Sequence, residues 1–213
     1  MRPIPFIIAA LVLTTALHAQ APDVHTLAQR VDAHYNHLQS FQCQYTEHYT
    51  GMGLDRTETG TLLLKKPGRM RWSYDDPAGK LFVLDGKNAY FYTPGDAQAQ
   101  RIPAKQLDDL HSPLRFLLGH TQLEKELTGL TLTPTGTNFT LTGVPKEMAQ
   151  RIKSLSLTVT PDGTIQGIRL EESDGSITEF TFTGIRENVP ATDRDFTFLA
   201  PAGVEIVDGM PPI

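Results

Sequence analysis

Seven histidines, a single cysteine and several neighbouring carboxylates are the residues of this 213-residue chain with the means to do chemistry. His34 and His37 stand three apart, a spacing that could share a metal on one helix face. No cysteine or carboxylate follows at ligand spacing, however, and Val31, Tyr35 and Leu38 mark the core side of that segment. The two histidines therefore read as part of a solvated face. Asp75-Asp76, Asp108-Asp109 and Glu171-Glu172 are sequence neighbours, and adjacent residues of a strand point to opposite faces. They do not form the facing pair that acid/base work needs. Cys43 lacks any neighbour that would lower its pKa, so a small core residue is the better reading. With no G-x-S-x-G, no H-E-x-x-H and no Gly-rich phosphate loop, catalysis has no motif here. The sequence predicts no enzyme, no metal and no cofactor. A hydrolase with a site assembled from distant residues stays open, to be revealed by a converging polar triad.

The termini and the charge set the address. Arg2 followed by an uncharged, largely apolar run from Ile4 to Leu17 has the form of a secretory signal peptide, residues 1–19. Cleavage after Ala19 fits better than after Ala21, because Pro22 would hinder the peptidase. The run is shorter than the roughly 20 apolar residues of a membrane span. Of the 19 basic residues Arg2 goes with the leader, leaving 18 against 24 acidic ones. That balance argues against nucleic acid and against steady adhesion to anionic lipid. A lone cysteine closes no internal disulfide. The expectation is a monomer, soluble in the periplasm, with residues 20–213 as one domain.

The elements follow from periodicity. Val24, Leu27, Ala28, Val31, Tyr35 and Leu38 recur at helical spacing behind Asp23, a natural N-cap. Strands are predicted at Phe41–Thr50, Thr57–Lys65, Arg69–Tyr74, Leu81–Leu84, Ala89–Thr93 and Gln98–Ile102. Ser112-Pro113 then opens a short helix with Leu114, Leu117 and Leu118 as its apolar stripe, ended by Gly119. Thr121-Gln122-Leu123-Glu124 has capping-box form. Strands resume at Leu130–Thr133, Asn138–Thr142, Ile152–Thr160, Thr164–Glu171 and Ile177–Ile185, and Asp195–Ile206 reads as one or two edge strands. About eleven short antiparallel strands with few helices suggest a curved sheet or barrel. Patterning alone does not separate this from a sandwich.

The stretch from Leu62 to Pro94 is the most distinctive. Met70, Trp72 and Tyr74 share one strand face, and Tyr90 and Tyr92 share another strand's face. Asp85-Gly86 is a strong hairpin signal between them. By residue type alone these faces read either as a sandwich core or as the wall of a cavity with variable contents, which large rings and a methionine also suit.

Lys66-Pro67, Trp72, Pro77, Val83-Leu84-Asp85-Gly86-Lys87 and Phe91-Tyr92-Thr93-Pro94 together resemble the periplasmic outer-membrane lipoprotein carriers, the LolA-type chaperones. The likeness continues through Ser112-Pro113-Leu114, Asp162-Gly163-Thr164-Ile165 and Phe196-Thr197-Phe198. It implies a mainly β fold, a single curved antiparallel sheet forming an incompletely closed β-barrel. An N-terminal helix and short central lid helices would cover it. It further implies an apolar cavity for lipoprotein acyl chains, lined by Val31, Leu38, Met70, Trp72, Tyr74, Phe82, Tyr90 and Tyr92, with Leu114, Leu117 and Leu118 on the lid. Relatives hold the lid with an arginine before the proline; here that position is Lys66, so a looser latch, or one supplied by Arg69 or Arg71, is expected. The implied partners are acylated lipoproteins, an inner-membrane lipoprotein-releasing ABC transporter and an outer-membrane receptor. Related half-barrels also act as glycolipid carriers or sensor domains, which keeps a second reading of the same fold in play.

Overall fold

A computed structural model of the chain describes residues 22–105, 117 and 122–209. The leader at residues 1–19 and the stripe positions Leu114 and Leu118 lie outside the described residues. Helix α1 (Val24–His37) begins where the Asp23 carboxylate accepts the Thr26 backbone N–H at 2.7 Å. Its buried face is Leu27, Ala28, Val31 and Tyr35, as the helical spacing predicts. Strands β1 (Ser40–Gly51), β2 (Leu54–Lys65), β3 (Arg69–Asp76), β4 (Leu81–Leu84), β5 (Asn88–Tyr92) and β6 (Gln98–Pro103) follow. One turn of helix, α2 (Leu123–Glu126), then leads into β7 (Leu127–Thr135), β8 (Asn138–Pro145), β9 (Ile152–Val159), β10 (Ile165–Glu172) and β11 (Ile177–Glu187). The last strand is β12 (Glu205–Asp208).

All twelve strands belong to one sheet in the order β12-β6-β5-β4-β3-β2-β1-β11-β10-β9-β8-β7. Its two edges, β12 and β7, do not meet, so the sheet curves without closing. β1 is the central strand and pairs with β2 over its full length, from Ser40 opposite Lys65 to Gly51 opposite Leu54. Of the segment Asp195–Ile206, predicted as one or two edge strands, the start belongs to a 3-10 turn at Asp193–Phe196 and the end opens the single edge strand β12. Thr192 and Asp195 close a reciprocal cap on that turn, a stronger local preference than extension. β12 then pairs in parallel with β6.

Alternation sorts the side chains onto two faces. Leu62 and Leu64 of β2, Met70 and Trp72 of β3, and Leu155, Leu157 and Val159 of β9 point inward and are buried with α1. The helix fits closely: a Cβ at Gly163, where φ is +98°, would sit 2.8 Å from the Arg30 carbonyl carbon. Only glycine meets both demands there. A smaller cluster of Val83, Ala99 and Phe198 lies on the outer face.

Fully buried leucines on the inner wall support both the sheet and the helix over it. Leu62→Ala is expected to cost about 2–5 kcal/mol. Met52→Ser, at an exposed hairpin tip, should stay within about 0.5 kcal/mol of the parent. Urea unfolding midpoints of the two variants check the contrast.

Candidate functional site

The inner face carries an aromatic wall. Trp72 stands edge-on to Tyr45 at 4.4 Å between ring centroids and to Phe180 at 5.7 Å. Its indole N–H donates to the Met70 sulfur at 2.8 Å, which leaves no unpaired polar atom on the ring. Tyr74 meets Tyr45 edge-on at 5.6 Å, and Phe180 stacks parallel to Phe182 at 6.3 Å. Phe82 of β4 packs on Phe91 of β5 at 4.7 Å. Val31, Leu38, Met70 and Trp72 are buried in this same cluster, with Tyr74 and Phe82 partly buried against it. Leu117 joins it, fully buried.

Tyr90 and Tyr92 do not. Hairpin register places Val83 opposite Tyr90 and Leu81 opposite Tyr92, one position out of phase with the inward pair Phe82 and Phe91. Both tyrosines therefore face outward, where Phe198 stacks on Tyr90 at 5.1 Å and 11°. They belong to the cover of the outer face and not to the inner wall. The expectation erred because two residues sharing a face says nothing of which face, and register alone decides that. The alternation of Phe180 and Phe182, inward on β11, was the signal for two wall residues the sequence reading omitted.

Lys66 holds α1. Its ammonium donates to the Tyr35 carbonyl in the last turn of the helix, where backbone carbonyls lack helical partners. Burial lowers the lysine's pKa. Arg69 and Arg71 serve elsewhere. Arg69 reaches Asp193 at 3.1 Å, joined there by Lys65 at 2.8 Å, and Arg71 reaches the Thr197 carbonyl at 3.5 Å. Both arginines alternate with Met70 and Trp72, so they point outward and fasten the C-terminal strap. Other links tie α1 to its surroundings. The Leu123 N–H donates to the Asp32 carboxylate at 3.1 Å, and the His25 ring meets Glu124 at 2.8 Å. Tyr35 Oη accepts the Ile165 N–H at 2.9 Å.

Beyond Trp72 the wall becomes polar. Glu58, with its side chain 6% exposed, accepts from Lys80 at 2.7 and 2.8 Å and lies 3.6 Å from Arg56. The Lys80 ammonium also sits 4.3 Å above the Tyr74 ring. Glu47 is paired opposite Glu58 in the register of β1 and β2. Burial raises the Glu47 pKa and the Glu58 charge raises it further, while Lys80 and Arg56 pull the other way.

The candidate chemical residues sort plainly. Burial pushes the Cys43 thiol up to about 12, far from a nucleophile's range. His34 is 2.6 Å from Glu187, and the His37 ring contacts the Ala33 carbonyl. Among the described residues no three histidine, cysteine or carboxylate side chains cluster to hold a metal. Glu171 is bound by Lys153 and Arg169, and Glu172 by Arg151. On the outer face of β8 to β11 lies a groove of about 780 Å³ lined by Thr140, Ser156, Thr158, Thr181, Arg169 and Glu179, among others. Its hydroxyls, and an arginine already 3.1 Å from Glu179, make a poor solvent for hydrocarbon.

A family model described as outer membrane lipoprotein carrier protein LolA matches residues 36–199. An outer-membrane lipoprotein carrier protein of Proteus mirabilis is 27% identical over 210 residues, covering 98% of this chain and 99% of the relative. One from Pseudomonas fluorescens is 29% identical over 210 residues, covering 97% and 99%. The Mycobacterium tuberculosis lipoprotein LppX superposes with a TM-score of 0.52 at 13% identity, over 79% of this chain and 97% of that one. A DUF1329-family protein from Desulfovibrio piger gives 0.50 at 15% identity, over 82% and 95%. At such distances the superpositions speak for the fold alone.

The raised Glu47 pKa has a stability sign. The folded protein holds that proton more tightly than the unfolded chain, whose reference value is 4.5. Stability therefore falls as pH climbs from the unfolded value through the raised folded one. Glu47→Gln removes the term, so its Tm should exceed the parent's at about pH 8, with the gap closing by about pH 4. Thermal melts across that range check it.

Proposed function

Because the chain belongs to the LolA family of outer-membrane lipoprotein carrier proteins, we propose that it ferries lipoproteins across the periplasm from the inner to the outer membrane. It is a lipoprotein carrier and not an enzyme. On this reading the acyl chains lie against the inner wall of Met70, Trp72, Tyr74, Phe82, Tyr45 and Phe180. Residues 1–19 direct export, an inner-membrane ABC transporter loads the cargo and an outer-membrane receptor accepts it.

The observation that carries this is an aromatic and aliphatic sheet face covered, among the described residues, by helix α1 with Leu117 and Leu123 buried beside it. Burying a methylene is worth about 0.8 kcal/mol, so three acyl chains of roughly sixteen carbons would lose about 35–40 kcal/mol on entering water. Direct handover between apolar surfaces is the only route at that magnitude. Lifting α1 uncovers Leu27, Val31 and Tyr35 and the wall beneath them. An acyl chain laid on that wall re-covers it, so helix and cargo compete for one surface. The polar links at Lys66, Asp32, His25, Arg30 and His34 then set the balance between the closed and loaded states.

Incubating the mature protein with energised inner membranes bearing lipoproteins is expected to bring lipoprotein into the soluble fraction as a complex. Lipoprotein that stays wholly in the membrane fraction would sink the proposal. Mass spectrometry of the bound lipid separates this reading from a glycolipid carrier.

Lys66→Ala weakens the closed state by about 1–2 kcal/mol, allowing for partial exposure. Because closure competes with cargo, the variant should hold its cargo more tightly and hand it to an acceptor several-fold more slowly. Handover at the parent's rate would remove Lys66 from the mechanism.

A further inference from the structure

The inner wall runs from apolar to polar along the strands. β1 passes Phe41, Cys43 and Tyr45 inward, then Glu47 and Tyr49, the step from Phe41 to Glu47 covering about 20 Å. α1 lies at the Phe41 end, where Tyr35 packs on Phe41 at 6.3 Å and caps Ile165. The polar end is therefore remote from the helix.

Two features there are unexplained by packing. Tyr45 is 2% exposed, and its hydroxyl makes no close hydrogen bond among the described residues, only a weak contact with the Tyr74 side chain. It stands over Gly60, where a Cβ would come within 2.9 Å of the hydroxyl oxygen, at the level of Tyr74. A buried donor left unmade is costly, so the site favours an occupant that brings an acceptor. The second feature is charge. The Lys80 ammonium at this end is committed to Glu58 and to the Tyr74 ring. Arg56, more than half exposed, is 3.6 Å from the same carboxylate. An arriving anion would meet Glu47 and Glu58 and find no cation of this group unpaired. A neutral carbonyl would meet the Tyr45 O–H.

We propose that this polar end is a headgroup subsite: Tyr45 donates to an uncharged acyl-ester carbonyl of the cargo, and Glu47 with Glu58 turns away lipids that carry an anionic head. The inference rests on the carrier reading and adds selectivity to it. Anionic phospholipids and free fatty acids bear the same acyl chains as a lipoprotein, so an apolar wall cannot tell them apart. The chemistry at the chain's end can.

The mature protein is titrated with three probes: dipalmitoylglycerol, dipalmitoylphosphatidylglycerol and hexadecane. The parent should bind the neutral diester about tenfold tighter than the anionic one. Tyr45→Phe should weaken the neutral diester about three- to tenfold relative to hexadecane, the loss of one hydrogen bond. Glu47→Gln should shrink the neutral-to-anionic ratio several-fold; it carries the test alone should Tyr45→Phe fail to give a cooperative melt. Equal binding of all three probes by parent and variants overturns the subsite while leaving the carrier intact. Binding of none of them, hexadecane included, overturns both.

Discussion

Apolar contact between α1 and the inner face of the sheet governs the rest of the molecule, because the wall it covers is too rich in large side chains to be left wet. An exposed face holding Trp72, Tyr45, Phe180 and Phe182 would be a contiguous patch of the kind that drives aggregation. Leu27, Val31 and Tyr35 supply the missing hydrocarbon. What the helix gives is non-directional and roughly proportional to area, so another source of hydrocarbon can replace it. Directional bonds then fix the helix in one place. Among the described residues those around α1 include Lys66 to the Tyr35 carbonyl, Arg30 to the Pro161 carbonyl, His34 to Glu187, the Asp32 carboxylate to Leu123, Tyr35 Oη to Ile165 and the His25–Glu124 pair. A cover held mainly by area and located by several polar contacts is removable in a way that an interdigitated core is not.

The outer face shows the contrasting solution. There the strap after β11 is fastened by Lys65 and Arg69 on Asp193, by Arg71 on Thr197, and by Phe198 stacked over Tyr90. β12 adds main-chain pairing to β6. Alternation along β3 links the two arrangements directly: Met70 and Trp72 face the helix while Arg69 and Arg71 face the strap. One strand thus presents an apolar surface to the helix on one side and a polar seam to the strap on the other. Because β12 and β7 do not pair, the sheet can also change curvature without breaking a closed ring of strands.

Much of this was legible in the chain. Alternation located eleven strands, and the spacing of Leu27, Val31 and Tyr35 gave the helix and its buried side. The inward set on β3 was correct because Pro67-Gly68 and the Asp76–Gly79 turn bracket that strand and leave little freedom. Tyr90 and Tyr92 were misplaced because a face is assigned by pairing with β4, and a one-residue difference in register exchanges both faces. Lys66 could be read as a latch by resemblance. Its acceptor, the Tyr35 carbonyl, depends on the end of α1 lying beside the turn after β2, which no local pattern records. The Glu47–Glu58 pairing was invisible for a similar reason: each looks like a solvated strand charge until the β1–β2 register brings them together.

That pairing is also the least economical feature of the wall if it had only to fold. Two carboxylates paired across β1 and β2, one of them buried and the other with its pKa raised by burial and by its neighbour's charge, oppose stability. Replacing them by threonine or valine would suit the strands better. The Tyr45 hydroxyl, met only weakly by Tyr74, points the same way, since phenylalanine would fill that position without a poorly satisfied donor. Local choices that weaken the fold, gathered within a few residues on one face, are where function is expected to have displaced stability. Here they gather at the end of the hydrocarbon wall, where an acyl chain would give way to its polar linkage.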